Sequence, residues 1–425
     1  MLGSLPIAFL AATASAASIS ARSDPVRPRW QPGSTPIRGV NLGSQFIIEP
    51  WMAADAWRDM GCGSAGDEWT CVKNLGQDKA DAAFKKHWAS WVTKDDISKI
   101  ASLKLNTVRI PVGFWIKEDL VDRNNEHYPK GGLEYLDKIV GWASDAGLQV
   151  IIDLHGGPGS QSKDQSFTGH GTSNPGFYTQ ANFERANKFL EWMAERIHKN
   201  KAYRNVYALQ VMNEPVHAGE FPSQAADMIK NFYPAAWSRI RNREKSLGVA
   251  AKDQLNIMYM GKTWGSGDPA ANLPSDHALM STDDHKYYKW DPKFGSQSTR
   301  QDYISAACSD NGHGQSVVGE WSLQVATDDG NDKNWSPKNN DNNQDLKKFY
   351  REFWGAQAQA YEKGRRLGLL ELEVQLDRRV QRIPLVLRGG CRCGGYSQGC
   401  YQCQVCFAVQ ISMHAAAMVP RARRR

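Results

Sequence analysis

The 425 residues are predicted to form an α/β protein with the architecture of a (β/α)8 TIM barrel. Three observations carry this expectation. Short apolar runs rich in β-formers alternate with amphipathic segments of helical period, the pattern of a parallel sheet with crossover helices. The alternation repeats seven times with an eighth strand expected next, which favours a barrel over an open sheet. The length also suits one such barrel with insertions.

Taken in order, Ile37 to Leu42 reads as the first strand, followed by a long loop, rich in Trp and Gly, from Gly43 to about Lys94. Residues 95–103 read as a helix with Ile97, Ile100 and Leu103 on one face. Thr107 to Pro111 is the second strand, ended by its proline. Residues 133–146 follow helical spacing through Leu133, Leu136, Ile139, Val140 and Ala143, with Gly147 as the stop. Leu148 to Leu154 is the third strand and His155 stands at its end; a Gly-rich loop, 156–176, leads to a helix at 181–198. Val206 to Met212 is the fourth strand, closed by Asn213-Glu214-Pro215. A helix over 224–246 precedes a fifth strand at 255–260. A sixth spans 279–283, with His285 and Tyr287 just beyond. The seventh, Ser316 to Gly319, ends in Glu320-Trp321, and 345–363 is again helical.

The C-terminal ends of barrel strands are where such folds keep their chemistry. Glu214 and Glu320, about a hundred residues apart, both stand there. Two carboxyls flanking a glycosidic bond suffice to hydrolyse it: one protonates the leaving oxygen, the other attacks the anomeric carbon or activates water. One of the pair must stay ionised, and Arg109 on the second strand is the natural cation for it. His155, Asn213, His285 and Tyr287 fall on the same rim; each alone also suits a polar cap or structural ion pair, but packing does not explain all of them together. Trp51, Trp57, Trp69, Trp115, Trp264, Trp290, Trp321 and Trp335 lie in or beside the rim loops, where indoles make good sugar platforms. The pattern asks for no cofactor and no metal ion.

On these residues the chain resembles fungal members of glycoside hydrolase family 5, the β-glucanases. The stretches that carry the likeness are IRGVNLGSQFIIEPW (37–51), TVRIPVGFW (107–115), IIDLHGGPGSQ (151–161), MNEP (212–215), DDHKYY (283–288) and VGEWS (318–322), spread over residues 37–363. The resemblance implies a retaining hydrolase with Glu214 as acid/base and Glu320 as nucleophile. Arg109, His155, Asn213, His285 and Tyr287 would orient them and the sugar, Glu49 would line the substrate site, and Trp321 would join the binding residues. NLGSQFIIEPW and GCGS (61–64) look most like the endo-1,6-β-glucanase branch, whereas the exo-1,3-β-glucanase branch carries Gly-Trp where Ser44-Gln45 stands. A non-catalytic glucan-binding barrel is the alternative of another class, and a hydrolysis assay separates the two.

The two ends differ from this body. Residues 1–16 read as a secretory signal, with an apolar stretch from Leu2 to Ala12 and a small-residue cleavage site at Ala14-Ser15-Ala16, although no Lys or Arg precedes it. A polar lead-in, 17–36, follows, and the expected localisation is extracellular. Residues 365–425 hold eleven Arg, no Lys and three acids, so they supply +8 of charge and leave the first 364 residues at −1. The catalytic body, 37–364, therefore offers no electrostatic reason to bind nucleic acid or an anionic membrane. No apolar run reaches the ~18 residues that suggest a membrane span. The expected partner is β-glucan polysaccharide, and the chain is expected to act as a monomer.

Five of the eight cysteines, Cys391, Cys393, Cys400, Cys403 and Cys406, also lie in the tail. Of the others, Cys62 and Cys71 are placed to close a local disulfide, leaving Cys308 free or paired with a partner the sequence does not reveal. The family's last strand is rich in Trp; here Leu367 to Val374 stands instead. These eight residues can be encoded CTG GGT CTT CTG GAG CTG GAA GTC, and the next frame of those letters reads Trp-Val-Phe-Trp-Ser-Trp-Lys. A shifted frame or mis-spliced gene from about 365 onward is the expectation, with an inactive product as its consequence if the eighth place stays empty; Leu367 to Val374 or Arg382 to Leu387 are the stretches able to fill it. The tail's cysteine cluster resembles a metal site, and Gly395-Tyr396-Ser397-Gln398-Gly399 an esterase elbow, but no acid follows Ser397. Asn334-Trp335-Ser336 is a glycosylation sequon.

Overall fold

The computed structural model describes residues 36–295, 297–310, 316–326, 344–363 and 369–370. Its strands are β1 (Gly39–Asn41), β2 (Thr107–Gly113), β3 (Gln149–Gly156), β4 (Val206–Gln210), β5 (Asn256–Met260), β6 (Met280–Lys286), β7 (Ser316–Trp321) and β8 (Leu369–Leu370). All neighbours are parallel, in the order β7-β6-β5-β4-β3-β2-β1-β8. The sheet curls into a nearly closed barrel, and the Asn41 side-chain amide donates to the Gly319 carbonyl at 2.8 Å, tying β1 to β7 across the seam. The eighth place is held by two residues, registered Gly39↔Leu369 and Val40↔Leu370, inside the stretch named as able to fill it. The signal-like start, the sequon at Asn334, Trp335, and the tail's cysteine and elbow motifs lie outside the described residues.

The helices are α1 (Ala54–Asp59), α2 (Glu68–Leu75), α3 (Gln77–Trp88), α4 (Lys94–Ser102), α5 (Leu133–Asp145), α6 (Gln180–Lys199), α7 (Pro222–Asp227), α8 (Tyr233–Ser246), α9 (Arg300–Ser309) and α10 (Gln344–Lys363). Each long one starts or packs as its sequence dictates. Thr93 and Asp96 form a reciprocal capping box on α4, and Thr179 accepts the Asn182 amide at the start of α6. The inward stripe of α6, Phe183, Ala186, Phe189, Leu190, Met193 and Ile197, is buried against the barrel. Each large side chain in it stabilises the fold by about 1.5–3 kcal/mol.

Three local expectations need correction. Pro111 lies inside β2 instead of ending it. The Arg109 carbonyl accepts the Leu42 amide, so residues 109 and 111 face β1, and β1 stops pairing at Asn41. The donor that Pro111 lacks thus falls where no partner strand remains. Second, the supposed loop 43–94 contains α1, α2 and α3; Ala80, Phe84 and Trp88 recur every four residues and are buried. Third, the helix expected over 224–246 is broken by a π-turn at Met228–Phe232. Pro234 has no N–H for the Lys230 carbonyl, and the wider turn accommodates that loss.

Cys62 and Cys71 form the expected disulfide. Cys308 is disulfide-bonded as well, so it is not a free thiol.

Candidate active site

The site is built from alternate residues of buried strands. Side chains two apart on a strand share a face. Asp153 and His155 on β3, and Asp283 and His285 on β6, therefore enter the barrel together, beside Asn41, Arg109, Gln210 and Glu320 from β1, β2, β4 and β7.

Arg109 is the hub and is fully buried. Its Nε donates to Gln210 Oε1 at 2.9 Å, Nη1 to Asn41 Oδ1 at 3.0 Å and to Glu320 Oε1 at 2.8 Å, and Nη2 to Asn213 Oδ1 at 2.8 Å. Asp153 Oδ2 lies 3.0 Å from Nη2. Burial opposes the guanidinium charge, but Asp153, Glu320 and Asp283 outweigh it and push the pKa above the ordinary arginine value.

Asp283 joins the far side of this layer. It accepts Gln210 Nε2 at 2.9 Å and the Gly319 amide at 2.7 Å. Only glycine fits at 319, because a Cβ there would stand 2.1 Å from Asp283 Oδ1.

Glu320 sits in the resulting cationic niche. Arg109 holds one oxygen, and the Tyr287 hydroxyl donates to the other at 2.8 Å. His285 Nδ1 is 3.3 Å from the same second oxygen. Burial works to raise its pKa, yet His285, Arg109, His155 and Tyr287 together lower it to about 2. Glu320 is therefore a carboxylate at any ordinary pH.

Glu214 lies beyond the end of β4 with φ at +37°, a left-handed backbone that costs a non-glycine residue about 1–3 kcal/mol. The strain is held in place from both sides. Its carbonyl accepts the Ser162 hydroxyl, and the amide of Gln161 bridges the carbonyls of His155 and Asn213 at 2.6 and 3.0 Å. This turn brings Glu214 Oε1 to 2.5 Å from His285 Nδ1. One oxygen of Glu214, one of Glu320 and a ring nitrogen of His285 all lie within 4.8 Å of one another.

The acidic surroundings of both histidines favour their charged forms. Burial lowers the pKa of His285, but Glu320, Asp283 and Glu214 raise it well above the ordinary value. His155 is raised too: burial opposes it, and Asp153, at 2.6 Å from Nδ1, prevails. The Glu214–His285–Glu320 trio has the donor types of a metal site, and an ion there would have to displace the proton that the neighbouring carboxylates favour on His285.

Glu49 completes the acidic side. Burial raises its pKa to about 7; His155 and the Trp51 indole oppose this, and Glu320 and Glu214 add to it. Trp51 donates to Glu49 Oε2 at 2.9 Å.

The structure thus unites Glu49, Arg109, His155, Asn213, Glu214, His285, Tyr287 and Glu320. It does not bring Trp321 to them. Trp321 follows the inward Glu320 on β7, so it points outward, packing edge-on against Tyr361 of α10 with ring centres 5.4 Å apart. Among the expected rim tryptophans, Trp51 and Trp290 are exposed, and Trp264 packs edge-on against His285. Trp57 and Trp115 are core, and Trp69 stacks on His170. Asn41, Asp153, Gln161, Gln210 and Asp283 were not anticipated. For Asn41, Asp153, Gln210 and Asp283 the signal was available: polar side chains at inward positions of otherwise apolar strands; Gln161 lies in the loop after β3 and carries no such signal.

Comparison with known proteins gives the family. A family profile described as cellulase, glycosyl hydrolase family 5, matches residues 73–336. Glucan endo-1,6-beta-glucosidase B of Emericella nidulans is 49% identical over 337 residues, covering 79% of this chain and 80% of that protein. A "Probable glucan 1,3-beta-glucosidase A" of Neosartorya fischeri is 33% identical over 295 residues, covering 68% and 65%. The rutinosidase from Aspergillus niger superposes with a TM-score of 0.60 at 18% identity over 80% of this chain and 90% of that one, a likeness of fold. The profile over residues 73–336 and the 49% identity over four-fifths of both chains make this barrel a glycoside hydrolase, and the chain belongs to glycosyl hydrolase family 5.

Proposed function

We propose that the chain is a secreted, retaining endo-β-1,6-glucanase in which Glu320 is the nucleophile and Glu214 the acid/base. The carrying observation is the approach of Glu214 and Glu320 oxygens to within 4.8 Å. Retaining glycosidases set their carboxyls roughly 5–5.5 Å apart, whereas inverting ones leave about 6.5–9.5 Å for a water. The ionised state of Glu320 supports the assignment of roles. Its carboxylate attacks C1 while Glu214 gives its proton to the departing glycosidic oxygen. Water then attacks C1 of the glycosyl ester, Glu214 recovers a proton from it, and Glu320 leaves as carboxylate. Arg109, Tyr287 and His285 hold the nucleophile; His155 and Asn213, with Glu49, face the sugar.

The 1,6 linkage is supported by the 49% relative and by Ser44-Gln45. Product analysis on linear β-1,6-glucan and β-1,3-glucan tests it; exclusive release of glucose from the 1,3 polymer would favour the exo-acting reading. Glu214→Gln and Glu320→Gln should each lose about 10²–10⁴ in kcat while substrate binding persists. Full rate in either variant removes that residue from its role.

Secretion is supported by residues 1–16 and by the Cys62–Cys71 disulfide, which suits an oxidising compartment. No helix of the described residues is long and apolar enough to cross a membrane. N-terminal sequencing of the mature protein, its sedimentation as a monomer, and the reading frame of the transcript past codon 364 are the corresponding tests.

A further inference from the structure

We propose that Glu68 is a positioning residue for the sugar-side carboxyl of Glu49, acting through the backbone amide of Ile48. The inference rests on the reading that Glu49 faces the sugar, and deepens it. Glu68 opens α2 and is fully buried. Its Oε1 accepts the Ile48 amide at 2.9 Å, one residue before Glu49.

A carboxyl in the first turn of a helix ordinarily serves that helix. Here the service is already performed by Asp67, which accepts the Thr70 amide at 2.7 Å. Glu68 instead reaches out of its helix to the segment that delivers Glu49. Its Oε2 has no hydrogen-bond partner among the described residues. Burial drives its pKa well above the carboxylate range, against the Ile48 hydrogen bond, and so favours the neutral acid, whose oxygen still accepts that bond.

The rest of the Glu49 segment is anchored elsewhere. Gln45 bonds the Val92 amide and the Trp88 carbonyl, at 2.9 and 3.1 Å. The Glu49 amide donates to Ser44 Oγ at 3.2 Å. The Ile48 bond is a polar contact from α2. That helix is itself braced: Cys71 is bonded to Cys62, and Asp67 accepts the Gly171 amide at 2.8 Å. The same carboxyl leans on Trp115, whose ring lies so close to Gly156 and Gly169 that a Cβ would come within 2.7 and 2.2 Å. Gly156 follows His155. One buried acid thus holds the Ile48 amide ahead of Glu49 and lies beside Trp115, the ring packed on Gly156 next to His155.

The test is a double-mutant cycle on linear β-1,6-glucan oligosaccharides. Glu68→Gln keeps a neutral acceptor and should leave KM and kcat within about twofold. Glu68→Met fills the space but abandons the Ile48 amide, and should raise KM about tenfold with kcat within about twofold, the signature of lost binding. In a Glu49→Gln background the same Glu68→Met change should add less than about twofold, because the two act through one contact. A full tenfold effect in that background, an unchanged KM in Glu68→Met, or a Gln variant as damaged as Met overturns the link while leaving the sugar-side role of Glu49 intact. A Glu49→Gln variant with normal KM overturns that role and this inference with it. If Glu68→Met does not fold, Glu68→Asp keeps a carboxyl but draws it back from the Ile48 amide by one methylene; it should raise KM in the same way, and an unchanged KM there overturns the proposal.

Discussion

Tyr287→Phe removes one oxygen and leaves the ring that packs edge-on to His285. The lost hydroxyl donates to Glu320 Oε2 at 2.8 Å. Arg109 at 2.8 Å and His285 at 3.3 Å continue to favour the carboxylate. A hydrogen bond to a charged group contributes about 1.5–3 kcal/mol, and with two cations still present the lower figure applies. Roughly 1.5 kcal/mol corresponds to about one pKa unit, so Glu320 moves from about 2 to roughly 3. Its folded pKa lies below the unfolded one, so the carboxylate contributes stability above the ordinary carboxylate range and loses it as pH falls through about 2. The variant is therefore less stable than wild type by about 1.5 kcal/mol at pH 7, and the deficit fades as both proteins protonate Glu320 between roughly pH 4 and pH 2. Urea unfolding across that range measures the difference, and the acid limb of kcat/KM should move up by about one unit in parallel. A deficit of the same size at pH 7 and pH 2, or an acid limb that does not move, would refute the claim that the hydroxyl acts on the charge of Glu320.

Two further outcomes follow from the same layer and its support. Gly319→Ala places a Cβ 2.1 Å from Asp283 Oδ1, so the carboxylate must shift and release Gln210; kcat/KM should fall about 10²-fold with the circular dichroism spectrum preserved, and activity within twofold of wild type would contradict it. Cys62→Ser/Cys71→Ser opens a short loop of sequence separation 9, worth roughly 2.6 kcal/mol in the chain-entropy account. Thermal unfolding should register that loss, and an unchanged Tm would show that the unfolded chain is not what the bridge restrains.

The fold was legible wherever hydrophobic period decides structure. The strand preceding Asn213 and the helices at 133–145 and 180–199 appear where apolar spacing puts them. Legibility failed where a neighbour outside the local window decides. Pro111 reads as a terminator until one knows that β1 has already ended opposite it. Segment 54–88 reads as loop because its charged residues dilute the apolar ones, although Ala80, Phe84 and Trp88 mark a buried stripe. Trp321 reads as a rim indole suited to a sugar, and the alternation of β7 sends it to the opposite face.

The polar layer beneath the carboxyls was the least legible part, because its members pair only across strands. Asn41, Asp153, Gln210 and Asp283 each look like a lone polar residue in an apolar run; around Arg109 they form one network with a fixed donor order. That order makes a rescue experiment possible. Gln210 accepts Arg109 Nε with its carbonyl and donates its amide to Asp283 Oδ2 at 2.9 Å. In Asp283→Asn, an oxygen retained for the Gly319 amide leaves an NH2 facing the Gln210 NH2. Two donors then meet and a buried cation loses a counter-charge, a loss of about 3–5 kcal/mol. Adding Gln210→Glu restores the pairing at 210 and the net charge: the new carboxylate accepts Arg109 Nε and the side-chain amide introduced at position 283, while the NH2 that faces His285 Nε2, 3.3 Å from Asp283 Oδ2 in wild type, keeps the recovery partial. The double variant should regain a substantial part of the unfolding free energy that the single variant loses. A double variant no more stable than Asp283→Asn alone would mean that shape, not donor polarity and charge, is what residues 210 and 283 supply.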